Sequence, residues 1–325
     1  LFPNDAEKGE GLLRPPNLAM YNAKQTGRGQ VTFFQASMNQ EVRRRLELDR
    51  ELREALARKE FELHYQPQLD LRSGQICGAE ALIRWRHPAR GLVRPIDFIA
   101  FAEASGLIEE IGQWVIGAAC AQLAVWRADG LPIAHVSMNA SPRQFRRPGL
   151  AATVEKILHE HDLPPGAVHL EITETALFDD QPAMNANLAA LSELGIQLEL
   201  DDFGTGYSSL SRLQRLAVAA VKLDGSFIST IERNVSAQAV VRAAIEMSHA
   251  LGKYVVAEGV EDAAQMALLS TMGCDIAQGY HLSQPLPAAE FAQFVRQHAT
   301  AARPAAGAAA PRPRPISSHP RPLDR

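Results

Sequence analysis

At 325 residues and 46% hydrophobic, the chain is long enough to bury one large core, alone or with appendages. Its formal net charge of -4 and pI near 6.2 exclude a global basic field able to hold long nucleic acid. Cys77, Cys120 and Cys274 sit in apolar runs without paired or ligand-like spacing, and no apolar stretch approaches the roughly 20 residues of a bilayer span. These features point to a soluble chain of a reducing, cytoplasmic compartment, without membrane contact of its own, although a longer parent protein can be anchored.

In chain order, residues 1–37 carry the apolar and aromatic run NLAMYNAKQTGRGQVTFF, too short to fold alone. Residues 38–59 place Leu46, Leu48, Leu52 and Leu56 among dense charges, the pattern of an amphipathic connecting helix. From 60 to 298 short apolar runs alternate with longer helical ones. The predicted strands are 61–69, 76–85, 134–139, 168–173, 196–201, 219–224, 254–258 and 275–278, and the predicted helices are 110–128, 181–194, 236–251, 262–272 and 288–297. Eight strands with intervening helices suggest a closed (β/α)8 barrel, and an open doubly wound sheet leaves the same signal. Arg72, Ser73 and Gly74 lie in the short turn between the first two strands, so these form a hairpin and one of them runs antiparallel. Residues 299–325, rich in Ala, Pro and Arg, read as a disordered tail.

The predicted strands end repeatedly in acids or their amides: Glu80, Asn139, Glu171 with Glu174, Asp201 with Asp202, Glu258 with Glu261, and Gln278. In a barrel the carboxyl ends of the parallel strands open onto one mouth, so residues distant in sequence converge. A single strand-end acid is ordinarily a helix cap or a solvated loop residue. Several acids in one pocket repel one another and resist ionisation unless cations join them. The set is oxygen-rich and none of the ten histidines lies at those ends, which favours Mg2+ or Mn2+ over Zn2+ and leaves room for two ions acting on a phosphoryl group. Lys222, between Val221 and Leu223, supplies a buried cation, either for chemistry or as a neutralising bridge to Asp201 or Asp202. Period two puts Glu80, Leu82 and Arg84 on one strand face, so Arg84 can bind phosphate or pair with a neighbouring acid. The run DDFGTGYSS from Asp201 is an ordinary turn or a metal-bearing loop with a glycine hinge.

Taken together, GAEALIRWRHPARGLVRPIDFI, VSMNAS, LEITETAL, LELDDFGTGYSSL, AVKLDGSFI, VVAEGVED and DIAQGYHLSQPLP resemble the EAL-domain phosphodiesterases of bacterial cyclic di-GMP signalling. The resemblance spans about residues 46–295. It implies a TIM-like (β/α)8 barrel of the α/β class with one antiparallel strand, a homodimer formed through this domain, and hydrolysis of cyclic di-GMP to linear pGpG with Mg2+ or Mn2+. It further implies that Glu80, Asn139, Glu171 and Asp201 ligate one metal, that Asp201 and Asp202 serve a second, and that Glu258 holds the metal-site water. Lys222 would position or polarise the attacking hydroxide; Glu80, Asp201, Lys222 and Glu258 thus form the implied catalytic set. Glu174 resembles the residue that steadies the loop from Asp202 to Ser209, and Glu261 one that supports the Glu258 turn. Gln66, Arg84 and Gln278 match positions near substrate or water. Some members of the family only bind the nucleotide, so a catalytically silent receptor is the alternative; the complete acid set and the lysine favour catalysis. Residues 1–37 resemble the end of a GGDEF, diguanylate cyclase, domain, with Asn17 at a position commonly Asp and no cyclase signature in the chain.

Overall fold

The computed structural model of the chain describes residues 36–177, 181–204, 213–214 and 216–301. It begins with helix α1 (Ala36–Arg58). Leu52 and Ala55 are buried and Leu48 and Leu56 partly so, whereas Leu46 is 67% exposed. The predicted stripe therefore holds from Leu48 onward, because six residues of helix leave Leu46 about a third of a turn away from Leu52.

A hairpin of β1 (Phe61–Asp70) and β2 (Gln75–His87) follows. Its turn is closed by the Asp70 carboxylate, whose Oδ1 accepts from the Arg72 and Ser73 amides at 2.9 and 2.7 Å, and by Gly74 at φ 66°. A short strand β3 (Gly91–Val93) pairs with β2 before helices α2 (Ile99–Ser105) and α3 (Ile108–Ala128). The chain then runs through β4 (His135–Asn139), α4 (Pro142–Arg146), α5 (Leu150–Glu160), β5 (Val168–Thr173), α6 (Glu174–Leu177) and α7 (Pro182–Leu194). Next come β6 (Gln197–Phe203), β7 (Ala220–Leu223), α8 (Gly225–Ile228), α9 (Val235–Ala250), β8 (Tyr254–Ala257), α10 (Ala263–Thr271), β9 (Ile276–Ala277), β10 (Leu286–Pro287) and α11 (Ala288–Ala301).

Strands β1, β9, β8, β7, β6, β5, β4 and β2 are hydrogen-bonded in that order, and the β1–β2 pairing closes the ring. Strand β1 is antiparallel to both neighbours; the other pairings of the ring are parallel. The structure is thus the closed barrel and not the open sheet, with the antiparallel strand where the three-residue turn predicted one. Alternate residues separate two environments. Ala79, Ala81, Ile83 and Trp85 of β2, Val136 and Met138 of β4, and Leu198 and Leu200 of β6 are buried in one apolar core with residues of the helices. The intervening Gln66, Gln68, Glu80, Ser137, His169, Glu171, Glu199, Asp201 and Lys222 are also buried, so the opposite face of the strands is a buried polar one. No helix among the described residues is long and apolar enough to cross a membrane. The three cysteines are unpaired, and burial pushes each thiol up to about 12.

Candidate metal and catalytic site at the barrel mouth

The register of the parallel strands sets Asn139 beside Glu171 and Thr173 beside Asp201, so the strand-end acids stand on one rim. Lys222 Nζ, at the centre, is 1% exposed. It donates to Glu171 Oε2, and it lies 2.7 Å from Glu258 Oε1, 3.2 Å from Asp201 Oδ1 and 3.9 Å from Glu80 Oε2. One ammonium therefore meets four carboxylates from four other strands or their ends.

Asp201 and Asp202 are adjacent and would point to opposite faces of a regular strand. A bulge prevents this: β6 advances from Leu200 to Phe203 while β7 advances only from Val221 to Leu223. Asp202 takes up the extra residue with φ 54°, a left-handed conformation that Asp tolerates better than most residues. As a result carboxylate oxygens of Asp201, Asp202 and Glu258 lie within 4.8 Å of one another. The bulge leaves no mark in the residue pattern, but it is what makes the Asp pair usable on one side.

The electrostatics are those of a site with too many acids. Burial, then Glu80, drives the Glu171 carboxyl well above its usual range, and Lys222 offsets this only in part. Burial likewise raises Glu258, to about 8, against the pull of Lys222 and with Asp201 and Glu80 adding to the rise. Asp202 is raised by burial and by Asp201. Burial alone would depress the Lys222 ammonium, but Glu171, Glu258, Glu80 and Asp201 outweigh it and hold the lysine charged. Glu171 Oε1 and Asp201 Oδ1 are buried without a hydrogen-bond partner among the described residues, as are Glu174 Oε1 and Glu199 Oε2; the Asp201 oxygen faces the ammonium at 3.2 Å without the angles of a hydrogen bond. Orphaned carboxylate oxygens beside a cluster of acids fit hard divalent cations such as Mg2+ or Mn2+.

Neighbouring groups fix these side chains. Asn139 Nδ2 donates to Glu80 Oε1 at 2.8 Å, and Gln278 Nε2 donates to the other Glu80 oxygen. Gln278 also donates to Gln66 Oε1 at 3.1 Å, and Gln66 Nε2 to the Ser283 carbonyl at 3.2 Å. Gln66 and Gln278 thus lie inside the barrel against Glu80, 8% and 3% exposed. Arg84, by contrast, is half-buried, donates to the Ile83 carbonyl, and is depressed by burial while Tyr280 and Glu80 raise it. Glu174 is buried with Oε2 accepting from the Gly204 amide at 3.1 Å; residues 205–212 of the loop that it was expected to steady lie outside the described residues. Glu261 is exposed, and its amide donates to Gln265 Oε1 at 2.7 Å. Two acids near these positions cap helices: Asp224 Oδ1 accepts from the Ser226 amide, and Asp262 Oδ1 from the Ala264 and Gln265 amides.

Gln68, His135 and Ser137 were not picked out in the sequence. Each lies two residues or a multiple of two from a predicted site residue, Gln66 or Asn139, and that spacing is the signal that places them on the same strand face.

Comparison with known proteins agrees with this architecture. The model of the EAL domain matches residues 49–285. The bifunctional diguanylate cyclase/cyclic di-GMP phosphodiesterase MucR of Pseudomonas aeruginosa is 40% identical over 288 residues, 89% of this chain and 42% of that protein. The cyclic di-GMP phosphodiesterase PdeR of Escherichia coli is 39% identical over 298 residues, 92% of this chain and 45% of that protein. The chain therefore spans less than half the length of these curated relatives. The solved PaMucR phosphodiesterase in complex with c-di-GMP superposes with a TM-score of 0.71 at 39% identity, covering 75% of this chain and 99% of that one. A closed barrel with one reversed strand, an acid-lined mouth and a family match across most of its length show that the chain belongs to the EAL domain family.

Proposed function

We propose that the chain hydrolyses one phosphodiester bond of cyclic di-GMP to give linear pGpG. The observation that carries this reading is the gathering of Glu80, Glu171, Asp201 and Glu258 around one buried ammonium, with two carboxylate oxygens left unpartnered. The catalytic activities in the names of the relatives support it.

In this reading Glu80, Asn139, Glu171 and Asp201 hold one Mg2+ or Mn2+, and Asp201, Asp202 and Glu258 a second. Bound ions of this kind lower the pKa of water and neutralise charge developing on a phosphoryl group. Lys222 holds Glu171, Asp201 and Glu258 together and keeps positive charge beside the reacting phosphate. Glu258, beside Lys222 at 2.7 Å, would hold the attacking water in place. Arg84 at the rim meets a nucleotide phosphate through its fork of donors. Gln66 and Gln278 fix the direction of the Glu80 carboxylate, Glu174 anchors the start of the loop at Gly204, and Glu261 supports the turn after Glu258. The chain acts as a homodimer in the cytoplasm, and residues 1–37 are the end of a GGDEF domain. That last point is supported by alignment to the bifunctional MucR over 288 residues, more than the EAL model itself covers.

The test is chromatography of products after incubating the purified chain with cyclic di-GMP and Mg2+ or Mn2+. Linear pGpG from the parent, and none from Glu80→Ala, is the expected outcome. Binding of the nucleotide without turnover would instead make the chain a receptor, and neither binding nor turnover would end the reading.

A further inference from the structure

Beneath the acidic rim, the barrel interior holds a second set of polar side chains that the proposed reaction does not use. Gly78 pairs with Gln68 on one side and His135 on the other. A Cβ on Gly78 would stand 2.3 Å from His135 Nε2, so the glycine leaves the gap through which His135 reaches across β2 to Gln68, 2.9 Å from its Oε1. The His135 ring is stacked on His169, with centroids 3.9 Å apart and planes 6° from parallel. His169 is fixed in turn by Glu199 at 2.7 Å, and the Tyr254 hydroxyl donates to the same Glu199 oxygen at 2.6 Å.

The directions of the hydrogen bonds above this stack follow from one end. An ionised Glu80 only accepts, so Gln278 must turn its amide nitrogen to it. The Gln278 oxygen then faces Gln68, whose Nε2 donates to it at 3.1 Å and to Ser137 Oγ at 3.3 Å. Gln68 Oε1 remains an acceptor, and His135 Nε2 must carry the hydrogen that satisfies it. Gln68 is 1% exposed, so no solvent can replace that donor.

We propose that Gln68, oriented by His135, is a positioning residue that holds the Glu80 carboxylate in place through Gln278. The inference rests on the reading above, in which Glu80 is a metal ligand. Loss of the His135 donor strands the Gln68 oxygen, and turning the amide to relieve it sets that oxygen against Gln278 Oε1. Turning Gln278 in response sets its own oxygen against Glu80. A lost donor on the barrel floor thus becomes a repelled ligand at the mouth, because each amide has one donating and one accepting side.

The experiment is titration of the EDTA-treated full chain with Mn2+ alone, free ion being read by electron paramagnetic resonance, for the parent, His135→Leu and His135→Gln. His135→Leu removes the donor and raises the Mn2+ concentration for half-saturation by about 10-fold, the lower end of what losing a partner of a metal ligand brings. His135→Gln, whose Nε2 can donate from nearly the same place, returns it to within about 3-fold of the parent. At saturating Mn2+, kcat for cyclic di-GMP follows the same order. A His135→Leu protein that melts lower but binds Mn2+ like the parent would show a merely structural histidine and overturn the inference. If His135→Leu does not fold, Gln68→Met, which keeps volume and removes the amide, carries the same expectation. A parent that neither binds Mn2+ nor cleaves the nucleotide would sink the metal reading and this inference with it, whereas an active parent with unaltered variants would sink the inference alone.

Discussion

Replacing Lys222 by Met keeps most of the side-chain volume and removes the one ammonium shared by Glu171, Glu258, Asp201 and Glu80. Removing one partner of a buried ion pair costs about 3–5 kcal/mol, because the charge left behind has no compensation. At about 2–4 °C per kcal/mol for a domain of this size, the metal-free variant should melt about 6–20 °C below the parent. The deficit depends on pH. Glu258 is raised from 4.5 to about 8 even beside the lysine, so the fold binds protons that the unfolded chain releases in that window. Stability contributed by such a group falls as pH rises from about 4.5 to about 8 and levels off above. Without the lysine the slope steepens, and the variant should recover part of its loss at pH 5.5 by protonating its carboxyls. Saturating Mg2+ should recover part of it at pH 8 by replacing the missing charge; an ion at 100 times its dissociation constant adds about 2.7 kcal/mol. The assay is thermal unfolding by circular dichroism at the two pH values, with EDTA or Mg2+. Melting of the EDTA-treated variant within about 2 °C of the parent at pH 8 would refute the reasoning, since four acids around no cation cannot be that comfortable.

Two further outcomes follow from the barrel interior. Burial, then His169, depresses the His135 imidazole to about 3, so the unfolded chain takes up a proton near 6.5 that the fold refuses. The His135 contribution is fully present above 6.5 and is lost as pH falls toward 3, by about 1.4 kcal/mol per unit; because Glu258 acts with the opposite sign in parent and variant alike, urea unfolding should show the stability of the parent relative to His135→Leu dropping by about 3 kcal/mol between pH 7 and pH 4, and a difference that does not change with pH would contradict a neutral, buried His135. Gly279→Ala would put a Cβ 2.1 Å from the Val260 carbonyl oxygen and 2.2 Å from its nitrogen, backbone atoms that cannot swing aside, so urea unfolding should register a loss of about 3 kcal/mol, the upper end of what overpacking ordinarily costs; a loss under about 1 kcal/mol would show that this turn yields.

The barrel was legible because strand direction and period two suffice to send distant acids to one rim. The eight predicted strands coincide with β1, β2 and β4 through β9 to within three residues at each end. Helices α2, α4, α5, α6 and α8 were not among those predicted. The first two are only 7 and 5 residues long, too short to show a clear period, and α4 is set by a local capping box between Ser141 and Gln144. The bulge at Asp201–Asp202 left no trace, since one extra residue at a strand end leaves the apolar alternation intact.

The barrel floor was hidden for a different reason. His135, His169, Glu199 and Tyr254 stand at or near the entering ends of their strands, away from the carboxyl ends that face the mouth. Yet His169 and Glu199 precede Glu171 and Asp201 by two residues, so the rule that aligned the acids also aligns these polar groups behind them. The inner face of the strands is thereby polar at two levels, with Ala220 and Val256 as apolar neighbours of Lys222, and the outer face is packed with apolar side chains. Buried amides are costly to leave unpaired, and those of Gln68 and Gln278 are paired in just one direction. The rim and floor are consequently one hydrogen-bonded unit, in which a substitution at His135 is felt at Glu80.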